Sequence, residues 1–150
     1  ISCSLVGSEM CIRDRQYKAA EGFTLAFQNG WDKEAYTNGK IWQVATLRPG
    51  KYRLEVTYAY TMVVSDAGNF ISALMAKGNS ESDIPNVADI EQLNGVCAIY
   101  DKAGINDDSG ILVTPSFEVT ETTDVVIGFL TSLAKGNSYF KVTELKLILE

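Results

Sequence analysis

Two neighbouring stretches combine residue types able to do chemistry. In Gln28-Asn29-Gly30-Trp31-Asp32 an indole stands among amide and carboxylate groups, and Tyr36 follows with Asn38 close by. Flat aromatic faces stack on the apolar faces of sugar rings, while amides and carboxylates take the hydroxyls. Shallow sites of that kind need few convergent polar groups. The turn-forming Asn, Gly and Asp around Trp31 place it on a loop, where an exposed aromatic is available to a ligand. The competing expectation is that Trp31 caps one end of a core, since burying an aromatic stabilises by roughly 1.5–3 kcal/mol.

Catalysis fits these residues less well. The 150-residue chain contains no histidine. That removes the usual general base, the commonest nitrogen ligand for metals, and every Ser–His or Cys–His nucleophile pair. Carboxylates alone can hydrolyse glycosides, but nothing in the spacing sets two of them on opposite sides of a cleft. A carboxylate-based glycosidase is therefore the remotest alternative, and the expectation is a non-enzyme. Asp101, Asp107 and Asp108 make an oxygen-rich stretch of the sort hard cations prefer. It lacks the twelve-residue spacing and closing glutamate of an EF-hand, so a solvated loop is expected, with no metal or cofactor.

Residues 1–15 stand apart from the rest. Leu5-Val6-Gly7-Ser8-Glu9-Met10-Cys11-Ile12-Arg13-Asp14 resembles, residue for residue and in one frame, the translation of a transposase adapter used to prepare sequencing libraries. Read instead as a secretion signal, the stretch has no basic start, no sustained apolar core and no cleavage pattern. Residues 1–15 are accordingly read as an adapter-derived artefact, and residues 16–150 as a single domain. The natural protein is expected to extend further at its N-terminus. Setting the segment aside removes two of the three cysteines and leaves Cys97, so no disulfide framework or thiolate cluster is expected. Cys97 lies between Val96 and Ala98 and reads as a small apolar core residue. Glu9 and Asp14 cancel Arg13 and Arg15, so the net charge of −6 stands. Charges of both signs are scattered without a basic stripe, which argues against nucleic acid. No apolar run reaches membrane-spanning length.

The elements that must position the candidates are strands. From Tyr52, the residues Tyr52, Leu54, Val56, Tyr58 and Tyr60 alternate with polar ones, the period of a half-buried strand. Arg48-Pro49-Gly50-Lys51 reads as a type II turn with Gly50 at positive φ, making Ile41–Leu47 the partner of an antiparallel hairpin. Tyr58 and Tyr60 continue the buried face, and Tyr60, near the strand's end, reaches toward a rim. Trp42, paired with Val44, is assigned to the core. Phe70–Ala76 is apolar on both faces and reads as a central strand. Phe117 and Val119, a turn at Glu121–Asp124 and Val125–Leu130 make a second hairpin. In the last strand Phe140 and Val142 share one phase and Leu145, Leu147 and Leu149 the other, so a bulge is expected near Thr143-Glu144. Its spaced charges, Lys141, Glu144, Lys146 and Glu150, suit an edge strand. Between Gly78 and Gly110 the pattern lapses into loop, with a helical turn or two in Asn86–Leu93 and a short strand at Val96–Tyr100. Many short strands with almost no helix point to an all-β sandwich.

GKIWQVATLRPGKYRLEVTYAY and VVIGFL followed by NSYFKVTELKLI resemble the hairpin and closing strands of the galactose-binding-like jelly-roll superfamily. LMAKGNSESDIPNVADIE further resembles an uncharacterised domain of Bacteroidota surface lipoproteins encoded near polysaccharide-utilisation systems. The similarity covers roughly residues 37–150, and the usual opening strands are missing before it, with GFTLAFQNGWD a remnant. The resemblance implies a jelly-roll β-sandwich lacking part of its N-terminal strands, at the cell surface, in the periplasm or outside the cell. It implies a non-catalytic carbohydrate-binding module beside other domains of a parent protein, with a structural or protein-interaction spacer as the alternative. Related sugar-binding domains carry an amide in the loop before the last strands, and Asn137, followed by Tyr139, occupies that kind of place. Plain turn chemistry at Gly136-Asn137 is the other reading. The candidate glycan-binding residues are Trp31, Tyr36, Tyr60, Asn137 and Tyr139.

Overall fold

The computed structural model describes residues 25–29, 35–63, 69–92, 96–100, 105–133 and 138–150, with the backbone alone for 25–29, 60–63, 91–92, 96–100 and 105–108. The strands are β1 (Leu25–Asn29), β2 (Tyr36–Leu47), β3 (Gly50–Val63), β4 (Phe70–Lys77), β5 (Val96–Tyr100), β6 (Ile105–Val113), β7 (Phe117–Val119), β8 (Thr123–Leu133) and β9 (Ser138–Leu149). One sheet orders β1, β9, β3 and β6, with β7 also paired to β3; the other orders β2, β8, β4 and β5. All pairings are antiparallel. The main apolar cluster joins residues of both sheets, among them Leu54, Val56 and Phe140 from one and Ile41, Ile127 and Phe129 from the other. The fold is an all-β sandwich. No helix of the described residues is long and apolar enough to cross a membrane.

The alternation read from Tyr52 holds: Tyr52, Leu54, Val56 and Tyr58 are buried while Arg53, Glu55 and Thr57 sit on the other face. The phase slip in β9 is also real. Thr57 pairs with Glu144 and Tyr58 with Val142, so Thr143 is the extra residue. Phe140 and Leu145 therefore both face the core.

Both expected hairpins are corrected. β2 pairs with β8, whereas β3 pairs with β9, β6 and β7, so residues 48–50 carry the chain from one sheet to the other. Gly50 enters β3 opposite Val119 and does not take a positive φ. The Tyr52 hydroxyl donates to the Arg48 carbonyl at 2.8 Å and closes the crossing. The stretch 120–123 crosses likewise between β7 and β8. Alternation fixes which face of a strand is buried, not which strand lies beside it. Leu47 and Tyr52 both point into the one core, from opposite sheets.

β4 lies between β8 and β5, central as its two apolar faces require. Ala73 and Met75 enter the main core. On the opposite side Leu74 and Ala76 join Val126 and Leu130 in a second cluster, completed by Ile84 and Ile90 with Val87 and Trp42 packed against it. Residues 78–92, with short 3-10 turns at Glu81–Asp83 and Val87–Gln92, thus form a strap over the outer face of the four-stranded sheet. Trp42 belongs to this outer cluster rather than the main core, and Val44 on the same face is exposed. Gly78, at φ 135, starts the strap, and its N–H donates to the Asp124 carbonyl at 3.0 Å.

Two smaller corrections follow from the pairing. β9 is no edge over Ser138–Val142, where β1 flanks it. Asp107 and Asp108, expected in a loop, fall in β6. The stretch GFTLAFQNGWD, read as a remnant of the opening strands, contains β1.

Candidate functional site

The crossing at residues 48–50 fixes one end of the sandwich, and the candidate residues belong to the other. β2 runs away from its start at Tyr36 toward the crossing, and β3 returns from it to end at Val63. At the far end Tyr36 pairs with Leu133, Phe70 with Ser132, Asn29 with Ser138, and Met62 with Tyr139. The ends of β1, β3 and β8 and the starts of β2, β4 and β9 therefore gather there. Trp31 and Asn137 lie outside the described residues, as does the side chain of Tyr60, which itself falls on β3. Asn29 and Ala35, and Leu133 and Ser138, are the described residues nearest to Trp31 and Asn137 in the chain.

Tyr36 is half-buried and packs against the main core. Its hydroxyl lies 3.1 Å from Thr131 Oγ1. The ring covers Gly39, where a Cβ would come within 2.8 Å of Tyr36 Cε2. Asn38, which the sequence places beside Tyr36, is turned to another use. It adopts φ 54, its Oδ1 accepts the Val87 N–H at 2.8 Å, and its own N–H donates to Ser132 Oγ at 3.0 Å.

Tyr139 is half-buried on β9 between inward-facing Ser138 and Phe140, so it lies on the outer face of its sheet. Lys141, two residues on, shares that face, with Nζ 5.2 Å from the Tyr139 ring centroid, a cation–π distance. Tyr36 and Tyr139 thus share an end of the molecule but belong to different sheets and different faces.

Beneath this end lie buried polar side chains that the sequence did not single out: Asn69, Thr131, Ser132 and Ser138. Asn69 Nδ2 approaches Ser138 Oγ at 3.5 Å, joining the start of β4 to the start of β9. Buried polar groups are kept where they find partners, and here they tie strand ends together. One signal was available. The apolar run Val125–Leu130 turns polar at Thr131-Ser132 while remaining buried. Among the described residues no three His, Cys, Asp or Glu side chains group to hold a metal. Among the described residues, the groups whose titration is displaced, Arg53, Asp83 and Glu150, lie away from Tyr36 and Tyr139 in surface bonds.

Residues 15–128 match the family described as Domain of unknown function (DUF5013). The chain belongs to this family. The DUF5013 match ends within β8, whereas the sandwich continues through β9, which lies between β1 and β3. The folded unit of this DUF5013 chain therefore runs past the matched residues. A search of the curated proteins finds no match to it.

Proposed function

We propose that this DUF5013 chain is a non-catalytic carbohydrate-binding module, an accessory domain of a larger exported or cell-surface protein. A glycan would stack on aromatics at the end of the sandwich away from the 48–50 crossing. Binding would be weak per site and strengthened by neighbouring modules. The observation that carries the reading is the register of the strand ends: Tyr36 opposite Leu133 and Tyr139 opposite Met62 bring two of the candidate aromatics to one end. The Lys141 ammonium beside Tyr139 adds a donor next to a ring face. Calorimetry or intrinsic tryptophan fluorescence against a panel of polysaccharides tests it. A flat response from folded protein across the panel removes the proposal.

The second reading is a spacer that docks neighbouring domains and binds no sugar. Tyr36 favours it, because its ring and hydroxyl are both committed to the framework. The two readings separate at Tyr139, whose outward placement the framework does not need.

A further inference from the structure

We propose that β6 is a docking edge for a second copy of this chain, paired antiparallel about Leu112. Among the described residues β6 ends its sheet, with β3 on one side and no strand on the other. The Thr114 N–H donates to the Leu54 carbonyl at 3.0 Å, so in the alternation of an antiparallel ladder Leu112 also bonds toward β3. Ile111 and Val113 then direct their N–H and C=O groups away from it. The same two residues carry exposed side chains, 62% and 48% accessible.

Gly110-Ile111-Leu112-Val113-Thr114 has no charge and no proline, the devices that normally keep an edge from pairing. The pattern is self-complementary. A two-fold axis at Leu112 sets Ile111 opposite Val113 of the second copy, twice over, as apolar cross-strand pairs that exchange backbone bonds. The two Leu112 side chains, each packed against its own core, meet at the axis. Asp108 falls opposite Ser116, so no acidic pair is opposed, and Pro115 limits the pairing to these few residues. A patch this short falls well below a standard interface, so the dimer is weak and reversible. The proposal is independent of glycan binding. If that reading also holds, the antiparallel arrangement points the two binding ends in opposite directions.

Sedimentation velocity on the full chain from about 10 µM to about 1 mM tests it. The expected result is a monomer–dimer equilibrium that Ile111→Lys and Val113→Lys each weaken by about tenfold or more, with near-ultraviolet dichroism unchanged. A monomer at every concentration, or a dimer indifferent to both substitutions, overturns it. Hydrogen exchange on the unaltered chain gives a check independent of the variants. Amide exchange at Ile111 and Val113 slows as concentration rises if the proposal holds, and concentration-independent exchange there refutes it.

Discussion

Asn38 Oδ1 accepts the Val87 N–H at 2.8 Å, a bond across 49 positions that ties the strap to β2. Asn38 can do this because it lies in a bulge, where Thr37 and Asn38 together stand against Ser132. Tyr36 pairs with Leu133 and Gly39 with Thr131, and Asn38 between them sits at φ 54. Asparagine tolerates that conformation better than most residues because its short amide finds local partners. Lys40 reinforces the tie, with Nζ donating to the Ile84 carbonyl at 2.8 Å.

Asn38→Ala should cost about 2 kcal/mol, from the left-handed backbone and the abandoned Val87 N–H together. Asn38→Gly keeps the backbone and loses only the bond, so about 1 kcal/mol is expected. Urea unfolding measures both. Equal losses would show that the backbone conformation contributes nothing.

Gly128 pairs with Trp42, and a Cβ there would lie 2.7 Å from Trp42 Cα and closer still to the Ile41 carbonyl oxygen. Backbone cannot yield as a side chain does. Gly128→Ala should therefore destabilise by about 2–3 kcal/mol, more than Gly39→Ala, which meets side chains alone, the Tyr36 ring edge and Thr131 Oγ1. Thermal unfolding ranks the pair, and the reverse order would mean that β2 shifts freely along β8.

The strands β2–β5 and β7–β9 were legible from their faces and apolar runs, whereas β6, most of it expected to be loop, was not, and β9 shows how far a face goes. Its phase slip located Thr143 as the extra residue to within one position. What faces do not encode is neighbours. Arg48-Pro49-Gly50-Lys51 reads the same whether it turns a hairpin or crosses a core, and here it crosses. The strap was legible in part: the helical turn expected in Asn86–Leu93 is the 3-10 turn Val87–Gln92, but three apolar residues in a polar stretch, Ile84, Val87 and Ile90, do not say which sheet face they cover. β4 nonetheless announced it, since a strand apolar on both faces needs two covers. The candidate end was legible as residue types, and Asn38 shows the limit. An amide beside an aromatic suggested a ligand and serves as a structural tie.

Acid should loosen the turn that begins the strap. Asp83 Oδ2 accepts bonds from Ser80 Oγ at 2.9 Å, Ser80 N at 3.0 Å and Asn79 N at 2.9 Å. These hold its carboxyl below the ordinary carboxylate range. Glu150 is lowered too, first by Ser116 Oγ and then by Arg53. A carboxylate depressed in the folded state contributes stability that is complete above its unfolded pKa. That contribution disappears as pH falls through the folded value. Stability should thus be level near neutrality and decline below about pH 4. Asp83→Asn with Glu150→Gln should flatten that decline in urea midpoints measured from neutral to acid pH. An unchanged acid limb would place its origin elsewhere.

Tyr139 and Tyr36 make the decisive pair for the proposed glycan binding, because on that proposal one change should alter binding without stability and the other the reverse. Tyr139 stands on the outer face of β9 beside Lys141, so Tyr139→Ala removes a stacking surface while the Phe140 and Val142 core contacts persist. Glycan affinity should fall by about tenfold, within the range of an aromatic stacking contact, with unfolding free energy changed by less than about 1 kcal/mol. Tyr36→Phe keeps the ring over Gly39 and loses the hydroxyl that meets Thr131. Stability should drop by about 1 kcal/mol, and affinity should stay within about twofold, because that hydroxyl is spent on the framework. Calorimetric titration beside urea unfolding reads both quantities on each variant. Were Tyr139→Ala to leave the affinity of a responding glycan intact, the stacking face would not be on β9, and binding would have to be sought among the other candidates.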